Sequence, residues 1–565
     1  MSSEEDRWNR LTAWMEESSG GQWQRKDLKV EFREIPGAGR GLFAKEDIAP
    51  GSTILTLPAS TLLHPKNIDR ADSDAGSSGF PNPVTLHQNV LPHSSATKTP
   101  GQEYAGSPIR MTTTQTLSLY LALNRQSSAS RESSRYCPWS AYLDTLPTSF
   151  RPWHPLTWLV QPAPDAPLSK GWDSLNDLAE NHLPTSAQEK LHDMLERYRA
   201  DVGAMRKGVA FSIANGDAGS VGERWSEVTE EDLLWAWINV NTRTLFLALD
   251  IPLLPKTFYA ETSTLGKRVR DAADSEQQNH TMGPLLDLAN HAHLRMDNID
   301  SDPPVASDER AALCDVHMVE ETVDELSSAE HSTKTRLKNG GPSNWRKRTL
   351  QMRAPKATGL KKGDQILFAY GPHSDETLFA EYGFVPLDAQ NPWNDIYMDV
   401  PVNTSWRIRE GPEMVALKSE ILDFNGYLGE YTVHSEPAPA HPSHRLIIAL
   451  RIMHAKIPVP ALRKYMDDPS NRKIHHEMQA FLDMLMGTRD TISDANEMLV
   501  RDDLRSICSA ELEKVDAALA RLTKLQYTSS QRDTLDAKRM VERLWVNDQG
   551  ILRAVIQSID ENVIF

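Results

Sequence analysis

The chain has 565 residues, 39% of them hydrophobic and 25% charged, and a formal net charge of −17. That length accommodates two or three cores, and the acidic balance excludes a protein that holds nucleic acid by its overall field, favouring a basic protein partner instead. Three widely spaced cysteines, Cys137, Cys314 and Cys508, supply neither a disulfide framework nor a cysteine-rich zinc site, and no apolar stretch is long enough to span a membrane.

Residues 28–35 alternate between apolar (Leu28, Val30, Phe32) and polar (Lys29, Glu31, Arg33), the pattern of a half-buried strand. A glycine turn leads into Leu42-Phe43-Ala44. Pro50-Gly51 then punctuates the chain before a strand-like run, Thr53 to Leu57, so the N-terminal segment is expected as a β-meander. The glycines Gly37, Gly39 and Gly41 superficially match a dinucleotide-binding loop. That fingerprint needs a helix directly after the glycines, and a strand-like run follows. Residues 66–110 are rich in Ser, Pro, Asn and Thr without periodicity and read as a long loop.

From 112 to 250 the character is helical, notably over 117–123, 191–198 and 233–249. Strand and turn character returns over 251–400, with polar insertions expected at 261–282 and 295–345. Beyond 401 the chain is helical again. Cys508, Leu512, Val515, Leu519 and Leu522 form one apolar stripe, read as packing within the chain ahead of an intermolecular coiled coil, and a second helix is expected over 530–560.

Four later segments carry chemistry. Trp235 to Arg243 closes a helix in Thr242-Arg243, and a guanidinium fork matches a carboxylate. Pro284 to His291 offers Asp287, an amide in Asn290 that donates and accepts while neutral, and His291. Ile366 to Gly371 reads as a buried strand ending in Tyr370 and a turn, and Glu381-Tyr382-Gly383-Phe384 sets two aromatic rings around a glycine. In isolation each reads as readily as packing, a turn or a capped helix end. Asp287, His291 and His293 also allow a remote metal-triad reading, which is not adopted.

Taken in this order behind Gly37-Ala38-Gly39-Arg40-Gly41-Leu42-Phe43-Ala44, the segments resemble the SET-domain methyltransferases, in particular a fungal-type member of the Rubisco large-subunit methyltransferase-like branch. The resemblance implies an α+β fold, a SET-domain β-fold with a helical insert followed by an all-α C-terminal substrate-binding domain. Its segments would be 1–111, the insert 112–250, the returning SET segment 251–400 and the helical domain 401–565. It implies S-adenosylmethionine as cofactor and no metal. Gly39, Arg40, Gly41, Leu42, Arg243, Asp287, Asn290, His291 and Tyr370 would bind that cofactor, with Arg243 reaching its carboxylate, His291 giving main-chain contacts to the adenine while its ring holds the segment, and Asp287 bracing the turn.

Tyr370 is implied as the catalytic residue, and Tyr382 and Phe384 as walls of a lysine channel. Methyl transfer is an in-line displacement, so alignment supplies most of the catalysis. The lysine must attack as the neutral amine, its pKa brought down from about 10.4 by desolvation and the sulfonium charge. The implied function is protein-lysine N-methylation of a non-histone protein, with histidine as a variant acceptor. The expected partner is a protein substrate, such as a basic ribosomal or translation protein, met by a monomer without direct nucleic-acid or membrane contact.

The acidic start, Met1 to Asp6, is unlike a signal peptide. A cytoplasmic or nuclear location is expected, and Arg346-Lys347-Arg348 reads as an import signal or as solvated loop charge. One departure stands out. His373-Ser374-Asp375 stands where relatives carry Ser-Asn, so a carboxylate replaces an amide. That departure and the long insertions motivate the alternative reading, a catalytically weak or inactive SET-fold binding module.

Overall fold

The computed structural model of the chain describes residues 4–35, 39–65, 67–68, 111–125, 137–163, 171–214, 224–247, 280–293, 313–320, 348–387, 390–468, 474–528 and 531–565. Most of 66–110, 261–282 and 295–345, expected as loop and insertions, lies outside the described residues, as does Gly37. The described residues of 1–151, 193–293 and 302–370 form one compact unit, and those of 152–192 and 371–565 form another. Both helices and strands build the fold.

The first unit opens with a helix that the sequence reading did not anticipate, α1 (Glu4–Ser18). Glu4, Glu5 and Asp6 suit the positive end of its dipole, while Leu11, Thr12 and Met15 form its buried face. Strands β1 (Val30–Ile35) and β2 (Gly39–Ala44) pair as an antiparallel hairpin, with Ile35 opposite Gly39. Strand β3 (Thr53–Pro58) follows. Helix α2 (Thr113–Asn124) is buried on every side from Thr113 to Leu123, and a capping box of Thr112 and Gln115 satisfies its first donors. Helix α3 (Thr185–Ala214) belongs to this unit from Asp193 onward.

Helix α4 (Glu230–Arg243) starts in a second capping box, Thr229 with Asp232, and packs on α2. It stops at Arg243, short of the expected 249, because the chain turns into β4 (Thr244–Phe246), which pairs with β5 (His280–Met282). The remaining strands are β6 (Asn290–His291), β7 (Asp315–Glu320), β8 (Arg348–Arg353) and β9 (Leu367–Phe368).

The expected meander is not what forms. Strand β3 leaves the hairpin and pairs antiparallel with β8, whose other side takes β7. The reason lies at the free edge of β2. The Ala44 N–H donates to Asp364 O at 2.9 Å and the Ile366 N–H to Leu42 O at 2.8 Å, so residues 364–366 already fill the place a third meander strand would need. Strand β7 is likewise a correction, since it lies inside the stretch expected as a polar surface insertion. Asp315 to Glu320 is half apolar, but a six-residue run set within a long polar stretch reads as part of an insertion until β8 supplies the partner.

In the second unit, β10 (Asp395–Tyr397), β11 (Thr432–His434) and β12 (His441–Pro442) form a small antiparallel sheet. The expectation of helix throughout 401–565 therefore needs correcting at β11 and β12. Pro437, Pro439 and Pro442 remove the N–H groups a helix requires there. Elsewhere this stretch is helical around a core that includes Trp406, Tyr431, Ile448, Phe481 and Leu504. Helices α5 (Asp494–Lys524) and α6 (Arg532–Asp560) pack together. The predicted stripe is buried at Cys508, Val515 and Leu522, and Cys508 and Val515 share the core with Ile551, Leu552 and Val555 of α6. The stripe is spent on packing within the chain.

Candidate active site

Asp287 is the hub on which the distant segments of the first unit meet. Gly283-Pro284 leads into Leu285, fully buried at φ +71°, ψ −46°, a conformation that a leucine adopts only under strain. A single 3-10 turn, Leu286–Leu288, then presents the Asp287 carboxylate inward, its side chain 3% exposed. The Tyr142 hydroxyl donates to Oδ2 at 3.0 Å. From the last residue of α4, Arg243 Nη1 donates to the Asp287 backbone oxygen at 2.9 Å and stands 3.4 Å from Oδ2. Burial raises the Asp287 carboxyl above its ordinary range, while Arg243 and the Tyr142 hydrogen bond pull it back. Two buried polar atoms face this cluster without a hydrogen-bond partner among the described residues, Arg243 Nε and Asp287 Oδ1.

The hairpin closes the next side. The Arg40 backbone oxygen accepts from Asn290 Nδ2 at 3.1 Å, and its guanidinium meets Glu4 of α1 at 3.2 Å. Burial, then the neighbouring Arg243, lower the Arg40 pKa. Between the two strands Gly41 leaves no room for a side chain. A Cβ there would lie 2.8 Å from Ile35 Cδ1 and 3.1 Å from Asn290 Nδ2, so glycine is what lets β2 approach β6. Leu42 is fully buried, and its carbonyl fixes the run toward Tyr370 by accepting from Ile366. Gly39 turns the chain into β2 at φ +78°.

Strands β6 and β9 pair in parallel, Asn290 beside Leu367 and His291 beside Phe368, which carries the chain to Tyr370. Tyr370 is tied at both ends. Its N–H donates to His291 Nδ1 at 3.1 Å and its hydroxyl to Ala289 O at 3.0 Å. Its ring lies 5.1 Å from those of both His291 and Phe368. Because His291 Nδ1 accepts, the neutral ring carries its proton on Nε2, directed at His293 Nδ1 at 3.1 Å. Burial pushes the Tyr370 hydroxyl up to about 12, so it stays protonated at neutral pH. His291 and His293 bond each other, the Asp287 carboxylate is engaged by Tyr142 and Arg243, and no group of three metal-ligating side chains gathers among the described residues.

Tyr382 and Phe384 belong to the second unit. Tyr382 ends a π-helical turn, Leu378–Tyr382, and its ring lies 5.7 Å from that of His373. Gly383 follows at φ +81°, packed on His154. The His154 ring accepts from the Leu156 N–H at Nδ1 and donates from Nε2 to Glu381 O at 3.3 Å. Burial brings its pKa down to about 4.

Asp375, 1% exposed, has a complete set of donors. Asn391 Nδ2 donates to Oδ1 at 2.8 Å, while Asn394 Nδ2 and Asn547 Nδ2 donate to Oδ2 at 3.0 and 2.6 Å. Its own N–H donates to Asn394 Oδ1 at 2.7 Å. Three amides thus surround the carboxylate. These asparagines, with Tyr142, Glu4 and His154, were missed in the sequence reading. A single tyrosine or asparagine far from its partner gives no periodic or spacing signal.

No family model matches this chain. It is 23% identical over 531 residues to SET domain-containing protein 4 of Homo sapiens, covering 93% of this chain and 86% of that protein. The Mus musculus protein of the same name is 23% identical over 539 residues, 94% of this chain and 87% of its own. Among solved structures, the SET domain of LSMT bound to lysine and AdoHcy superposes with a TM-score of 0.49 at 15% identity, over 99% of this chain and 94% of that one. Rubisco LSMT bound to sinefungin and monomethyllysine gives 0.48 at 14%, with the same coverage. The similarity to the two curated relatives runs through nearly the whole chain.

Proposed function

We propose that the chain is a SET-domain, S-adenosylmethionine-dependent protein-lysine N-methyltransferase acting on a non-histone protein, with Tyr370 as its catalytic residue. The observation that carries this reading is the convergence of Arg40, Arg243 and Tyr370, from three separate parts of the chain, on one short segment, 287–291, that includes Asn290. The near full-length similarity to two proteins named for a SET domain supports it.

The residues fit the cofactor. Arg243 Nε is a buried donor with no partner, as a carboxylate ligand requires. Asn290 spends its amide N–H on Arg40 O and keeps Oδ1 to accept from an amine. The Gly39-to-Leu42 strand brings bare backbone to the same place. When bound, S-adenosylmethionine supplies a methyl group on a sulfonium, open to in-line displacement without a metal.

The chain's own part is positioning. The Tyr370 hydroxyl commits its proton to Ala289 O, which leaves its lone pairs to hold a polarised methyl by weak C–H···O contacts. The His291 ring fixes the Tyr370 backbone, and alignment of this kind is what a displacement needs most. Tyr382 and Phe384 are assigned the lysine channel, since aromatic faces attract the cation and line its apolar stem. A carboxylate at 375 with three amide donors is fully accommodated, which removes one motive for reading the protein as an inactive binding module. The acidic balance favours a basic protein as substrate, met in the cytoplasm or nucleus by a monomer.

The test is to incubate the purified chain with methyl-labelled cofactor and extract from cells lacking the protein, then map labelled peptides by mass spectrometry. Label on a lysine side-chain nitrogen is expected. Label on a histidine ring would correct the acceptor, and no label above a heat-treated control would overturn the reading.

A further inference from the structure

Helix α1 is given no role above, yet two walls of the candidate site lean on it. On one side Trp8 stacks on Phe32 of β1, with ring centroids 6.2 Å apart. On the other, Arg10 Nη2 pairs with Asp144 at 3.1 Å, and the helix packs on the short helical turn Ser140–Leu143, which carries Tyr142 to Asp287. Leu11 and Met15, both fully buried, seat the helix in the core. At its first residue the Glu4 carboxylate is divided. Oε1 accepts from Arg7 Nη1 at 2.9 Å, and Oε2 from Arg40 Nη1 at 3.2 Å. We propose that Glu4 is a positioning residue of the cofactor pocket, acting through Arg40 to fix the amide of Asn290. The inference rests on the reading of that pocket as a site for S-adenosylmethionine.

Three observations carry it. The first is that Arg40 is held at both ends, its guanidinium by Glu4 and its backbone oxygen by Asn290 Nδ2 at 3.1 Å. A carbonyl only accepts, so Asn290 must turn its nitrogen to Arg40, and Oδ1 remains the acceptor offered to the cofactor's amine. The opposite amide orientation would set oxygen against oxygen. The second is how closely the parts fit. A Cβ on Gly41, the next residue, would lie 3.1 Å from the same Asn290 Nδ2, so a shift of β2 by a few tenths of an ångström changes what Asn290 meets.

The third is charge. Arg40 feels the like charge of Arg243, and the buried Asp287 carboxylate feels both guanidinium groups. Glu4 supplies Arg40 with an anion of its own, so Asp287 stays with Arg243. The Arg40 and Glu4 side chains are only 17% and 32% exposed, which limits the screening of their attraction by solvent and salt.

The experiment is calorimetric titration of the full-length protein with S-adenosylmethionine, run on the wild type, Glu4→Gln, Arg40→Gln, the double variant and Glu5→Gln. Hydrogen exchange of the backbone amides of 39–44 is followed in the same proteins without cofactor. Glu5 is exposed in the same turn of α1, so its variant removes an equal charge from the helix start and leaves the Glu4–Arg40 pair in place. Thermal melts confirm folding, and Arg40→Gln breaks the pair from its other side if Glu4→Gln does not fold. In Glu4→Gln the affinity is expected to fall about three- to tenfold, the worth of a partly buried ion pair, and exchange over 39–44 to quicken. Glu5→Gln should match the wild type in both. Once residue 40 is glutamine, the Glu4 change should add no more than about twofold, because it acts through Arg40. The cofactor KM should rise in Glu4→Gln while kcat at saturating cofactor holds, a split that a general loosening of the fold does not give. A wild type that binds the cofactor with Glu4→Gln within about twofold of it, or a full further loss in the double variant, overturns this inference and leaves the proposed function standing. A wild type that does not bind the cofactor overturns the proposed function, and this inference with it.

Discussion

Tyr370 and Arg243 show how little of a site resides in one side chain. The Tyr370 hydroxyl donates to Ala289 O, and Asp287 occupies one end of the Arg243 guanidinium and leaves Nε open. Removing that donor in Arg243→Ala should weaken S-adenosylmethionine binding by roughly ten- to a hundredfold, the worth of a charge-assisted hydrogen bond, as read by calorimetry. His154 gives a second prediction, on stability. It is 1% exposed and its pKa is lowered from 6.5 to about 4 by burial. Between those values the unfolded chain binds the proton and the folded one does not. Stability therefore rises with pH across that window and is lost as pH falls from 6.5 to 4. The difference is about 3 kcal/mol at full extent. A His154→Gln variant, which keeps a donor for Glu381 O, should show a correspondingly shallower loss of the denaturant midpoint between pH 6.5 and 4.

Helix α4 illustrates what was legible in the sequence. Its apolar run and its Thr242-Arg243 pair were read in the sequence, while its Thr229 cap was not and the helical character was carried past the arginine to 249. Breaking the capping box in Thr229→Ala should cost about 1 kcal/mol, measured as a lowered urea midpoint of the unit that holds Arg243. The candidate site was legible through the resemblance that its motifs carry. Arg40, Gly41, Arg243, Asp287, Asn290, His291 and Tyr370 belong to those motifs, and the structure brings them together. The partners that complete it were not legible. Tyr142 reaches Asp287 across 145 positions of sequence, and nothing local announces it. The misread elements share one cause. Strand β3 looked like the third strand of a meander until residues 364–366 took the edge of β2. Strand β7 looked like an insertion until β8 paired with it, and β11 and β12 were too short to be seen among helices. In each case the deciding partner is remote, and short strands take their identity from partners. Helix α1 is different. Its buried Leu11 and Met15 are spaced one turn apart and were readable, but the acidic start drew attention to targeting instead.

At the scale of the molecule, one compact unit gathers Arg40, Arg243, Asn290 and Tyr370, and the other holds Tyr382, Phe384 and the helical core. A formal charge of −17 suits a basic protein substrate better than a nucleic acid. The central claim is that the first unit aligns a methyl donor against one phenol, and it stands or falls with the Tyr370 hydroxyl. The measurement is methyl transfer to protein by the wild type and by Tyr370→Phe, with cofactor binding followed in parallel by calorimetry. The account predicts that the phenylalanine variant still binds S-adenosylmethionine within a few-fold of the wild type while transfer falls by about two orders of magnitude or more. Transfer at the wild-type rate in that variant would contradict it.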